Sequence, residues 1–137
     1  MTTGTKISEN LSVLETRFQE AKEKGADFIV TPEQSLLMAE NKASLFENIS
    51  YEDEDFGLRE LRGIVKKVGL FVIVGSISIK YNQDLALNRT YAFNPDGDII
   101  GVYDKIHMFD VTLSDGENYH ESKIYKPGKK VSLVSLP

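Results

Sequence analysis

The sequence predicts an α/β domain with helices layered on a mixed sheet, and three observations point there. Short, wholly apolar runs at Phe28-Ile29-Val30 and Leu70 to Val74 have the character of buried strands. Each follows a stretch whose apolar residues recur at the helical spacings of three and four. Further on, Asn94-Pro95-Asp96-Gly97 lies between two β-prone segments and reads as the turn of a hairpin.

In chain order, Ile7, Leu11, Leu14, Phe18 and Ala21 make the apolar stripe of a first helix, with Thr5 or Ser8 available to cap its start and Gly25 to end it. Phe28 to Val30, closed off by Pro32, reads as a buried strand. Residues 34–50 are mixed, a loop with a short helix near Leu36 to Ala39. Leu58, Leu61, Val65 and Val68 repeat the helical spacing ahead of Gly69. The acidic run Glu52 to Asp55 precedes them, where a helix dipole favours negative charge, and reads as a cap with a solvated face rather than a metal site. Leu70 to Ile79 follows as a strand, apolar on both faces at first and alternating later. Thr90 to Phe93 and Ile99 to Tyr103 are the hairpin strands, and Asp96 and Gly97 serve only the turn. Thr112 to Lys130 is polar and loop-like, and Val131 to Leu136 alternates as a last strand.

Composition narrows the function classes. At 137 residues, 41% hydrophobic and 27% charged, the chain is one ordinary soluble domain in size and make-up. A net charge of −5 with scattered Lys and Arg does not suggest binding to nucleic acid or an anionic membrane surface. No apolar run is long enough to span a bilayer or act as a signal peptide. With no cysteine there are neither disulfides nor thiolate zinc sites, which fits a cytoplasmic setting, and two histidines are too few for a His-rich metal centre.

Two residues stand where chemistry is usually placed. Glu33 follows a strand and a proline, at the C-terminal edge where open α/β sheets hold their sites. Partial burial would raise its pKa and make it a general base near neutrality; alternatively it is a loop glutamate capping the Ser35 or Leu36 amide. Lys105 ends a segment rich in apolar and aromatic residues (Val102, Tyr103, Ile106, Met108, Phe109). It reads equally as an oxyanion-stabilising charge or as a snorkelling lysine paired with Asp104 or Asp110. Together they would suit a thiol nucleophile, as base and oxyanion stabiliser, yet no thiol is present. His107 and His120 are hydrogen-bonding residues without a catalytic role.

The chain resembles the carbon–nitrogen hydrolase, or nitrilase, superfamily, and within it the Nit-type amidases. Lys24 to Glu33 is similar to the stretch carrying the family's general-base glutamate, and Tyr103-Asp104-Lys105-Ile106-His107-Met108-Phe109-Asp110-Val111 to the stretch carrying its lysine. Asp115 to Ser122, with Tyr125-Lys126-Pro127-Gly128, is similar to the loop holding a second active-site glutamate, here Glu121. Asn88-Arg89-Thr90 and Pro95-Asp96-Gly97 also fit.

The resemblance implies a four-layer α-β-β-α sandwich that dimerises, of which residues 1–137 form a single partial domain, an incomplete half without the first strand and the cysteine-bearing C-terminal half. It implies a Cys-Glu-Lys thioester mechanism acting on a small carboxylate-bearing amide, with Glu33, Lys105 and Glu121 in the site and no cofactor. The alternative from another class is a non-catalytic partner-binding or dimerisation module derived from that fold.

Overall fold

The computed structural model describes residues 1–112 and 118–136. In chain order, helix α1 (Ile7–Glu23) and strand β1 (Phe28–Val30) are followed by helices α2 (Lys42–Asn48) and α3 (Phe56–Val68) and then by strands β2 (Phe71–Lys80), β3 (Ala86–Phe93) and β4 (Ile99–Asp104). The four strands form one mixed sheet in the order β1-β2-β3-β4, with β1 parallel to β2 and the other pairs antiparallel. A separate hairpin pairs β5 (Asp110–Thr112) with β6 (Asn118–His120), and a 3-10 turn at Glu121–Lys123 follows. Among the described residues no helix is long and apolar enough to cross a membrane.

α1 and α3 pack together on one face of the sheet. Leu11, Leu14 and Phe18 of α1 and Leu61, Val65 and Val68 of α3 bury against Val72, Val74, Tyr91 and Phe93. Each such side chain, withdrawn from water, contributes about 1.5–3 kcal/mol. The helices end as the sequence predicts, on glycines in the left-handed region (Gly25 φ 79°, Gly69 φ 70°). Asp55 caps α3, its side chain accepting from Leu58 N–H at 2.8 Å. α1, by contrast, starts at Lys6 without a side-chain cap, so neither Thr5 nor Ser8 plays that part. Buried Asn10 does the local tying instead, exchanging hydrogen bonds with Gly4 and donating to Leu36 O at 2.8 Å.

Several expectations are corrected. β1 is an edge strand whose Phe28 and Val30 are 51% and 60% exposed; only Ile29 turns toward the helices, because a lone outer strand has cover on one face only. The short helix lies at Lys42–Asn48, not near Leu36 to Ala39, because Asn41 supplies the cap, accepting from Ser44 N–H. Leu36 and Leu37 are instead pulled into the two core clusters. Along β2 the order of patterns is reversed: burial alternates first and becomes continuous from Ser76, within the bulge between Val74 and Ile77. The polar stretch beyond Thr112 carries a hairpin strand and a 3-10 turn. Val131 to Leu136 forms no strand: Val131 and Leu133 are almost fully exposed, and the Ser132 hydroxyl, donating to Val102 O at 2.6 Å, tethers the segment to β4.

The second face of the sheet carries much less. A small cluster of Leu37, Leu45 and Ile49 closes over Ala86, where β3 begins. Elsewhere a cleft of about 190 Å³ opens over Ile73, Thr90, Ala92 and Tyr103, edged by Val134.

Candidate active site

Strand direction explains why Glu33 and Lys105 meet. The chain reverses from β2 to β3 and again from β3 to β4, so β1, β2 and β4 run the same way and finish at one edge. Glu33 leaves that edge after β1, and Lys105 leaves it directly after β4. The Lys105 N–H donates to Asn88 O at 2.9 Å, which extends the hairpin ladder by a step and sets Lys105 opposite Asn88.

The side chains close into a compact cluster. Lys105 Nζ lies 2.9 Å from Glu33 Oε1 and 2.8 Å from Glu121 Oε2. Asn88 Nδ2 donates to Glu33 Oε1 at 2.7 Å and to Glu121 Oε1 at 3.2 Å. Phe109 N–H holds the other Glu121 oxygen at 2.7 Å, and Tyr125 N–H returns to Glu121 O at 2.8 Å. The Glu121 side chain is only 14% exposed while that of Glu33 is 55% exposed. Glu121 is therefore the anchored carboxylate and Glu33 the accessible one.

All three sequence candidates thus come together, and the bland alternatives do not hold. Glu33 does not cap its neighbours: Gln34 N–H and Ser35 N–H donate to Ser76 Oγ and Ser76 O of β2. Lys105 does not pair with Asp104 or Asp110. Asp104 is held by Arg89 through two bonds of 2.6 and 2.9 Å on the helix side of the sheet, and Asp110 accepts from Ser122 N–H. Asp115 to Glu117 of the second-glutamate stretch lies outside the described residues.

The electrostatics correct one expectation. Burial is the largest single influence on Glu33 and pushes its carboxyl up, but hydrogen bonds from Lys105 and Asn88 and the Lys105 charge together outweigh it, leaving the carboxyl below the ordinary glutamate value. For Lys105, burial pulls down, while Glu121 and Glu33 more than compensate and hold the amine above its usual value. The signs set the pH window. Glu33's contribution to stability is present above the ordinary glutamate value and lost as pH falls through its lowered folded value; that of Lys105 is present below the ordinary lysine value and lost as pH rises through its raised one. In Lys105→Met, Glu33 should titrate higher than in the parent, since burial and the Glu121 charge then face only Asn88. Side-chain carboxyl ¹³C NMR reads this directly, and an unmoved midpoint would refute the pairing.

Two contributors, Asn88 and Gln34, carry no sequence signal of their role. Asn88 is fully buried in β3 and touches every member of the cluster, Glu33 and Glu121 through its amide and Lys105 through its carbonyl. The available signal was the stretch Asn88-Arg89-Thr90, which fits the family pattern without assigning Asn88 a role. Gln34, at φ 53°, is the one non-glycine with positive φ among the described residues, and its side chain meets Ser78 and Tyr125. A left-handed glutamine costs about 1 kcal/mol or more and persists only where its surroundings hold it.

The carbon–nitrogen hydrolase family model matches residues 2–137, and the chain belongs to that family. It is 30% identical to a deaminated glutathione amidase of Yersinia enterocolitica, over 98% of this chain and 47% of the relative. It is 28% identical to the ω-amidase NIT2 of Danio rerio, over 95% of this chain and 46% of the relative. The chain spans about half the length of the curated relatives it matches. Among solved structures, the nitrilase-superfamily amidase of Nesterenkonia sp. AN1 superposes with a TM-score of 0.76 at 19% identity, over 95% of this chain and 47% of that one. One form of that enzyme carries acrylamide added to its active-site cysteine. The NitFhit protein of C. elegans also superposes at 0.76, with 19% identity over 93% of this chain and 32% of its own. The helices-on-mixed-sheet architecture is therefore that of the nitrilase superfamily.

Proposed function

We propose that this chain supplies the glutamate–lysine portion of an amidase site in a cytoplasmic carbon–nitrogen hydrolase whose cysteine comes from sequence outside these 137 residues. The observation that carries the reading is Lys105 Nζ held between Glu33 and Glu121 at 2.9 and 2.8 Å. In the proposed reaction a cysteine thiol loses its proton to Glu33 as its sulfur attacks the amide carbonyl. Lys105 turns toward the developing oxyanion. As it does, its hold on Glu33 loosens and the carboxylate becomes the stronger base. The tetrahedral adduct collapses by breaking the carbon–nitrogen bond, and the proton held by Glu33 leaves with ammonia. Water, deprotonated by Glu33, then cleaves the thioester to a carboxylic acid and the free thiol. Glu121 keeps Lys105 aimed throughout and positions substrate or water.

The names of the two curated relatives, an amidase for deaminated glutathione and an ω-amidase, favour a small carboxylate-bearing amide as substrate. In this reading residues 1–137 are one partial domain, the sheet face bearing Ile73, Thr90 and Ala92 receives the second sheet of the sandwich, and the intact protein is a homodimer. A second reading, a non-catalytic partner-binding or dimerisation module, is favoured by the absence of any cysteine. The coding sequence beyond codon 137 separates the two: an in-frame strand leading to a cysteine supports the amidase, and a stop followed by unrelated sequence supports the module.

Two measurements on the chain itself follow. Alone, it should release no ammonia from a simple ω-amide above the buffer blank, since losing the nucleophile of such enzymes costs several orders of magnitude. It should also self-associate with rising concentration through its uncovered sheet face, where Phe28 and Val30 are exposed. Ideal monomeric sedimentation across a wide concentration range would count against an uncovered interface there.

A further inference from the structure

β1 and β4 are separated by β2 and β3, so ladder spacing alone puts Glu33's strand about 14 Å from Lys105's. Glu33 must be carried across the end of β2 to reach its partner. The chain does this by turning sharply at Gln34 and resting on β2, with Gln34 N–H and Ser35 N–H on Ser76. The Gln34 side chain then completes a closed triangle. Its Oε1 accepts from Ser78 Oγ at 2.8 Å, its Nε2 donates to the Tyr125 hydroxyl at 3.2 Å, and the two hydroxyls share a 2.8 Å bond. Ser78 is the cross-strand neighbour of Asn88, and Tyr125 is bonded through its backbone to Glu121.

We propose that Gln34, Ser78 and Tyr125 are positioning residues, a hydrogen-bonded clamp that fixes the Glu33 loop to the Glu121 loop and so sets the distance between the two carboxylates that share Lys105. The proposal rests on the amidase reading for its purpose, though not for its test. The clamp touches the loops rather than the reacting atoms. It explains why a glutamine occupies a left-handed position where glycine would be free of strain: the side chain is the anchor.

The test uses this chain and needs no turnover. Gln34→Gly keeps the backbone shape at no steric cost and deletes the anchor, Tyr125→Phe removes a single oxygen, and Ser78→Thr preserves the hydroxyl as the conservative control. The readout is the Glu33 titration midpoint, with amide spectra confirming the fold. Gln34→Gly and Tyr125→Phe should each move Glu33 toward the ordinary glutamate value, and Ser78→Thr should leave it at the parent value. A purely structural triangle would lower the melting temperature and leave the Glu33 midpoint of the folded protein unchanged, which overturns the proposal. A parent Glu33 that already titrates as an ordinary glutamate also overturns it. Should Gln34→Gly fail to fold, Tyr125→Phe decides alone. Failure here leaves the amidase reading standing, whereas an inactive cysteine-bearing enzyme with a working clamp would sink that reading and keep this one.

Discussion

Replacing Lys105 by alanine, in a polypeptide joining this chain to a cysteine-bearing amidase C-terminal half, should abolish amide hydrolysis, with kcat down roughly 10³-fold or more. Two losses compound. The oxyanion forfeits its charged donor, and Glu33 and Glu121 are left sharing a pocket with only Asn88 between them. Like charges that close drive one carboxyl to hold a proton, which disables the base as well. Lys105→Arg should not rescue, because a planar fork cannot replace a compact ammonium seated between two carboxylates at 2.9 and 2.8 Å. Ammonia release is the assay, with circular dichroism to confirm folding. Turnover within tenfold of the parent enzyme would sink the mechanism.

Gly75→Val should damage the fold severely. A Cβ at Gly75 would overlap Thr31 O and the Pro32 carbonyl, all backbone atoms that no rotamer can move aside. The contact is locked from three directions: Thr31 N–H bonds Ile73 O, Gly75 N–H bonds Thr31 Oγ1, and Thr90 Oγ1 bonds Gly75 O. Forcing β1 from β2 there should cost about 3 kcal/mol, a fall of roughly 10 °C in melting temperature for a domain of this size. Because Glu33 follows Pro32 directly, its midpoint should rise in whatever fraction still folds. Gly63→Ala is the control, since its added methyl meets nothing within 4 Å on α3 and should be neutral or slightly stabilising. Equal melting temperatures for parent and Gly75→Val would refute the close-approach argument.

The sequence shows most plainly where periodicity and punctuation agree. α1 and α3 carry long apolar repeats bounded by Asp55, Gly25 or Gly69, and the Asn94–Gly97 turn marks the β3–β4 hairpin, although β3 begins at Ala86, four residues before the expected Thr90, because Ala86 to Arg89 pair with β2 as well. α2 was not, because its position depends on the Asn41 cap rather than on a stripe. β1 read as buried because an apolar triplet looks the same at an edge and at a centre; the number of faces covered is a property of the whole sheet. Val131 to Leu136 alternates like a strand, but alternation makes no ladder without a partner. For the site, Glu33 and Lys105 stand out by their strand-end positions, and Glu121 only through motif resemblance. Their convergence follows from strand direction, which depends on long-range pairing that no local window contains. Glu33's lowered pKa was missed for the same reason, since the neighbours that set it are 55 and 72 positions away.

The Arg89–Asp104 pair invites a last consideration, about parity. Side chains alternate between the faces of a sheet, so a one-residue slip between β3 and β4 would exchange the faces of every neighbour. In the native register Arg89 opposes Asp104, and the adjoining dipeptide partners Asn88 and Lys105 point the other way, into the site. The bidentate Arg89 contact, joined by Glu52 at 2.8 Å, is thus a key that fits only one reading frame of the hairpin. Shorten or lengthen β4 by an odd number of residues without a compensating bulge, such as the one already present opposite Ala92 and Phe93, and the lysine would face the helices while the aspartate faced the carboxylates. Natural or engineered length changes in this hairpin that no bulge absorbs are therefore compatible with the site only in steps of two.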